Sequence, residues 1–210
     1  GLFLANANPA QNAVPFVGSD DIVCCSWMKS DGTQYINTGY VPQANTKVDA
    51  IINFDSAASA SHSHAAVFGV TAADGYDAFT LFRWNGNNNP LYVRGGGENA
   101  KQGTSYFYDH IINLVCEGRS AAWTVLDGAD AGQHEAVSYS QGEPGAVKPG
   151  RNLYLFAFNE NDAAPGSHIM SVMTLYSFNI YEGTTPVRAF VPAVDVRFHV
   201  GVVANPLTDI

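Results

Sequence analysis

Positive charge is scarce in this chain. Ten Lys and Arg stand against nineteen Asp and Glu, a formal net charge of −9. The ten are scattered at Lys29, Lys47, Arg83, Arg94, Lys101, Arg119, Lys148, Arg151, Arg188 and Arg197. Phosphate backbones and anionic bilayers both require clustered Lys and Arg, which argues against nucleic acid and disfavours a charged membrane surface as partners. Apolar runs are short, and none approaches the ~20 residues of a membrane helix, so no membrane span is expected. Cysteine is scarce: Cys24, Cys25 and Cys116. No C-x-x-C or Cys/His ligand spacing occurs, which argues against structural zinc. Neighbouring strand residues point to opposite faces, so Cys24 and Cys25 cannot both face one core. Either one could pair with Cys116, or all three are small buried or half-buried thiols. A sustained helical period and a G-x-S-x-G nucleophile elbow are both missing.

What is present reads as β structure. Charged residues make up only 14% and apolar residues 46% of 210 residues, which marks a globular chain long enough to bury a core without staples. Short runs rich in Val, Ile, Phe, Tyr and Thr alternate with Gly, Asn, Asp and Pro clusters. The pattern predicts strands near 22–28, 33–37, 46–54, 65–70, 78–84, 91–94, 105–108, 110–117, 121–126, 134–139, 152–158, 169–181 and 187–203. Alternation over 170–181 places Val172, Thr174, Tyr176, Phe178 and Ile180 on one face. Leu153 to Phe158 is apolar on both parities, as in a strand buried on both faces. Asp31-Gly32, Asp74-Gly75, Asp127-Gly128 and Glu182-Gly183 supply turn residues that tolerate positive φ. Many short strands at close spacing predict an all-β fold, a two-sheet antiparallel β-sandwich. The reading is one domain over residues 21–210 behind a leader or arm at 1–20, in which Pro9 and Pro15 block regular structure. Leu2-Phe3-Leu4, followed by Ala5-Asn6-Ala7, looks like the tail of a signal peptide without its charged n-region, or an ordinary leader strand. These apolar residues are expected to pack on this domain or on a neighbouring copy.

Several motifs in order carry a resemblance. Tyr35-Ile36-Asn37-Thr38-Gly39 is followed by Lys47-Val48-Asp49, then Val67-Phe68-Gly69, Asn152-Leu153-Tyr154-Leu155-Phe156-Ala157 and Leu175-Tyr176-Ser177-Phe178. Together they resemble the strands of concanavalin A-like (laminin-G-like) jelly-roll domains of bacterial surface and phage proteins, from about Trp27 to Val203. The resemblance implies a jelly roll, with Gly69 allowing a tight strand crossing. The ending departs from the pattern: His199-Val200-Gly201-Val202-Val203 runs into Ala204-Asn205-Pro206 where such modules close with a Gly-rich strand and a Tyr-Asp pair. Enzymes on this fold class use an E-x-D-x-x-E strand. Here Glu160-Asn161-Asp162 is followed by Pro165 at the proton donor's position, so no catalytic residue is expected.

The candidate recognition site is the run Arg83 to Arg94. Sugar recognition needs an apolar ring for pyranose C–H faces, and planar amides and guanidinium groups for hydroxyls. Trp84 and Tyr92 supply rings, Asn85, Asn87 and Asn88 amides, and Arg94 a guanidinium. The alternative is a plain Asn/Gly hairpin with Trp84 in the core. Ser61-His62-Ser63-His64 puts two imidazoles on one face if extended, which is a solvated loop or half a metal site. No cofactor is read from the residues apart from calcium, a recurring guest of such sandwiches, for which Asp74, Asp77, Glu160 and Asp162 are the candidates.

Three functions follow. The first is a non-catalytic carbohydrate-binding or adhesion module, secreted or displayed on a cell surface or virion, with a glycan or surface polysaccharide as partner. The second is a structural subunit of a virion, filament or surface layer that self-associates through residues 1–13. The third is a glycoside hydrolase, kept only because the fold hosts them.

Overall fold

The computed structural model describes residues 2–5, 22–71, 78–84, 91–95, 98–102, 106–138, 150–166 and 169–195. Within them lie sixteen strands. They are β1 (Leu2–Ala5), β2 (Ile22–Cys24), β3 (Met28–Asp31), β4 (Ile36–Asn37), β5 (Thr46–Phe54), β6 (His64–Thr71), β7 (Ala78–Trp84) and β8 (Leu91–Gly95), then β9 (Glu98–Gln102), β10 (Ile111–Glu117), β11 (Ser120–Val125), β12 (His134–Ser138), β13 (Tyr154–Leu155), β14 (Phe158–Asn159), β15 (Val172–Glu182) and β16 (Thr185–Asp195). A short 3-10 turn spans Ala58–Ser61.

Two sheets result. A nine-stranded sheet runs β1-β16-β15-β5-β10-β11-β12, with β2 paired to β16 and β3 to β15. A seven-stranded sheet runs β4-β13-β6-β7-β8-β9, with β14 parallel to β6. Period-two alternation explains the packing. In β5, Thr46, Val48, Ala50, Ile52 and Phe54 are buried, while Lys47, Asp49, Ile51 and Asn53 are half-buried on the other face. Ile112, Leu114 and Cys116 of β10, and Ala121, Trp123 and Val125 of β11, continue the same inner surface. The sheets meet through an aromatic edge, Phe68 of β6 packing on Phe178 of β15 with centroids 5.8 Å apart, and Phe107, in the bend before β10, packs edge-on against Trp123 at 5.2 Å. Each such ring contributes roughly 1.5–3 kcal/mol on burial. The buried Trp123 indole donates to Glu135 Oε2 at 3.1 Å, so its polar atom is satisfied.

The turn chemistry holds at Asp31-Gly32, Asp127-Gly128 and Glu182-Gly183, where the glycines take φ of 86°, 66° and 60°, while Asp74-Gly75 lies outside the described residues. Other expectations need correction. The strand expected over 22–28 is two strands, because the chain leaves β16 after Cys24 and joins β15 at Met28. Residues 33–37 contribute only Ile36–Asn37. Of the strand expected at 105–108, the described residues 106–108 are bends with one isolated bridge, Tyr108 to Phe54, while β9 was not foreseen. The expected strand 152–158 is buried from Leu153 to Phe158 but is broken in two by Phe156, at φ 69°. The facing of 170–181 is also corrected. A β-bulge between Leu175 and Ser177 leaves Tyr176 out of the ladder with β5. That extra residue shifts parity, so Met173 and Leu175 share the core face with Phe178 and Ile180.

No bridge reaches Cys116. It is a free, fully buried thiol of β10, opposite Val48 and Ala121. Cys24 lies in β2 opposite Ala193, with β15 and β5 between, about 14 Å at ~4.8 Å per strand. A disulfide tolerates a Cα separation of at most ~7 Å. Burial pushes the Cys116 thiol up from 9.0 to about 12.

Candidate functional site

Trp84 is not in the core. In β7 the parity of Phe79 and Leu81 points into the sandwich, so Thr80, Phe82 and Trp84 take the outer face of the seven-stranded sheet. Trp84 is 43% exposed. On the neighbouring strand the ladder sets His64 opposite Trp84 and Ala66 opposite Phe82. The His64 and Trp84 rings stack with centroids 6.2 Å apart and planes 13° from parallel. His64 also lies 5.8 Å from Phe82, and Phe82 lies 6.0 Å from Phe158. Ala66, Phe158 and Ile169 with Phe82 form an apolar cluster separate from the main core. The outer face thus carries its own aromatic row, buried at Phe158 and open at Trp84.

Two backbone features bring Phe158 there. Phe156 holds a left-handed conformation, which costs a non-glycine residue about 1–2 kcal/mol. Its amide donates to Val67 O at 2.9 Å, and its carbonyl accepts from Ser171 N at 2.8 Å, fixing both ends of the reversal. Gly69 makes room: a Cβ there would sit 2.6 Å from Phe158 Cβ and 2.7 Å from Thr80 Cγ2. This is the tight crossing expected at Val67-Phe68-Gly69.

Beneath Trp84, Arg83 points the other way and is only 3% exposed. Its guanidinium donates to Ser59 O at 3.1 Å and lies 5.8 Å from the Tyr108 ring. Its Nε finds no acceptor, and none of the ion pairs among the described residues includes it. Ser59 ties the same corner to β15: its hydroxyl accepts from Val172 N at 3.0 Å.

Of the candidate ligand-binding residues, Trp84 is on the platform. Register places Tyr92 opposite Phe82 and Arg94 opposite Thr80 on β8. Asn85, Asn87 and Asn88 lie outside the described residues, as do Asp74 and Asp77. The sequence reading missed His64, Phe82 and Phe158 as partners of Trp84. The signal for His64 was its spacing from a bulge at Val67, visible only in the ladder. His62 and His64 do not converge: His62 packs by Gly32, near Val172, and His64 lies on the aromatic row.

At the calcium candidates Glu160 and Asp162, the chain makes a turn that holds its own cation. Asp162 Oδ1 accepts from the Asn159 amide at 2.9 Å, and its other oxygen lies 3.4 Å from Arg151 Nε. Arg151 also donates to the Glu160 carbonyl. Among the described residues, no three His, Cys, Asp or Glu side chains group as metal ligands.

No protein-family model and no curated protein matches the chain. Among solved structures, the fold is similar to the LG1-3 region of the laminin α2 chain, with TM-score 0.51 at 13% identity, over 82% of this chain and 34% of that one. Domains LG4-5 of the mouse laminin α1 chain match with TM-score 0.47 at 14% identity, over 85% of this chain and 46% of that one. The chain spans a third to under a half of the length of these structures. The fold class is therefore an all-β, laminin-G-like (concanavalin A-like) jelly roll. No helix among the described residues is long and apolar enough to cross a membrane.

Proposed function

We propose that this protein is a non-catalytic adhesion or binding module, displayed on a cell surface or virion, that recognises a glycan through the outer face of its seven-stranded sheet. The observation that carries the reading is Trp84, a large exposed ring held flat against His64 on a rigid two-strand ladder. An indole fixed this way presents one face without losing rotamer freedom on binding. The amide-rich run Asn85, Asn87 and Asn88 follows it directly, and Arg94 stands two strand positions beyond Tyr92. Ring and planar amides together are what a hexopyranose requires: C–H faces to stack and hydroxyls to meet in pairs.

A glycan array followed by calorimetry on the purified protein tests this. The expected result is binding of at least one glycan class, weakened roughly tenfold (about 1.4 kcal/mol) by Trp84→Ala. Absence of binding across bacterial, plant and host glycans overturns the reading. Binding is expected to survive EDTA, because Arg151 already supplies the positive charge at Asp162.

A further inference from the structure

β1 and β2 flank the same strand from opposite sides. Ala193 of β16 pairs with Leu2 on one side and Cys24 on the other. β1 is the outermost strand of its sheet and covers β16 from Phe190 to Ala193. Within that stretch Val191 is 46% exposed. Without β1, this edge would offer a free row of N–H and C=O groups while β15 and β2 still paired the inner side.

The chain between β1 and β2, residues 6–21, is sixteen residues long. Extended, it reaches about 50 Å. Crossing from one side of β16 to the other takes only two strand spacings, about 10 Å. Chain length therefore does not bind β1 to the β16 of its own copy. We propose that β1 exchanges between two copies of this protein, so that Leu2–Ala5 of each completes the outer edge of the other's β16. The ladder bonds are identical in the closed and exchanged forms, so the balance is set by concentration alone. A short tether gives its own strand an effective concentration on the order of 1 mM. Exchange is then negligible in dilute solution and substantial where copies crowd on a surface.

Leu4 and Val191 are direct partners in the ladder. Leu4→Cys with Val191→Cys, in a background of Cys24→Ser and Cys25→Ser, converts the pairing into a covalent link. Isotopically heavy and light copies are mixed, oxidised and digested, and the linked peptides are weighed. Interchain links are expected to form roughly half of the total at about 1 mM protein and roughly one in a hundred at about 10 µM. An interchain share below a tenth at 1 mM, or no link at all in folded protein, overturns the proposal. Light scattering on the unmodified protein gives an independent reading. A mean mass of about 1.5 monomers at 1 mM that falls to one monomer on deletion of residues 2–5 supports exchange. A monomer at 1 mM, or a dimer that survives the deletion, overturns it.

Discussion

Replacing Arg83 with Met is expected to stabilise the protein, although Arg83 is buried and hydrogen-bonded. The guanidinium makes one hydrogen bond, to Ser59 O at 3.1 Å, worth about 1.5–3 kcal/mol for a charged donor. Its contact with Tyr108, at 5.8 Å, is near the outer limit for cation–π attraction and adds about 0.5–1 kcal/mol. Against this stands a charge that is 3% exposed, with Nε unsatisfied and no carboxylate partner among the described ion pairs. Desolvating such an ion costs several kcal/mol. Met keeps most of the stem's length and packing. The substitution orphans nothing, because Ser59 O also accepts from His62 N at 3.1 Å. The balance favours Met by about 1–2 kcal/mol, an increase of roughly 0.5 M in the urea midpoint. Arg83→Lys keeps the desolvated charge and loses the planar fork, so it is expected to fall below the native protein. The order Met, Arg, Lys by urea unfolding is the test. A Met variant less stable than the native chain by 1 kcal/mol or more refutes the reasoning, since it would mean that the guanidinium's contacts outweigh its burial.

Further predictions rest on other parts of the fold. Gly69→Ala forces a Cβ against Phe158 and Thr80 and should cost about 1–3 kcal/mol by thermal unfolding. Gly183→Ala, with positive φ but its nearest neighbour at 3.7 Å, should cost only the backbone strain of about 1–2 kcal/mol. Equal effects on thermal midpoint after Thr80→Ser is added to each would contradict the steric account, because only Gly69 faces Thr80. Cys116 should be inert to thiol reagents until the protein unfolds, since burial raises it to about 12. Because the folded thiol keeps its proton longer than the unfolded chain does, its contribution to stability is full below pH 9 and is lost as pH climbs toward 12. The native protein should therefore lose stability relative to Cys116→Ala by up to about 1.4 kcal/mol per pH unit in that window. Parallel pH curves for the two proteins would show that the thiol is not the titrating group.

Much of this fold is legible in the chain itself, for a local reason. A sandwich strand buries one face, and β5, β10 and β11 show in the chain as short apolar-rich runs, although Ile51 and Val115 interrupt strict alternation. Turns announce themselves by Asp-Gly and Glu-Gly. The Arg83–Arg94 run was likewise visible as a recognition candidate by composition. What composition could not say was whether Trp84 faces in or out.

That choice, and the others of its kind, belonged to the tertiary structure. The bulges at Tyr176 and Val67 each insert one residue and reverse which side chains reach the core, and they exist only against a partner strand. Phe156 holds its left-handed turn because Val67, far away in sequence, and Ser171, 15 residues on, bond both its ends. His64 meets Trp84, and β1 meets β16, through pairings across 20 and nearly 190 residues. Local pattern determines that a strand forms and which of its residues are apolar. Its partner and register are settled by long-range contacts, because a slip of one residue exchanges every inward side chain for an outward one.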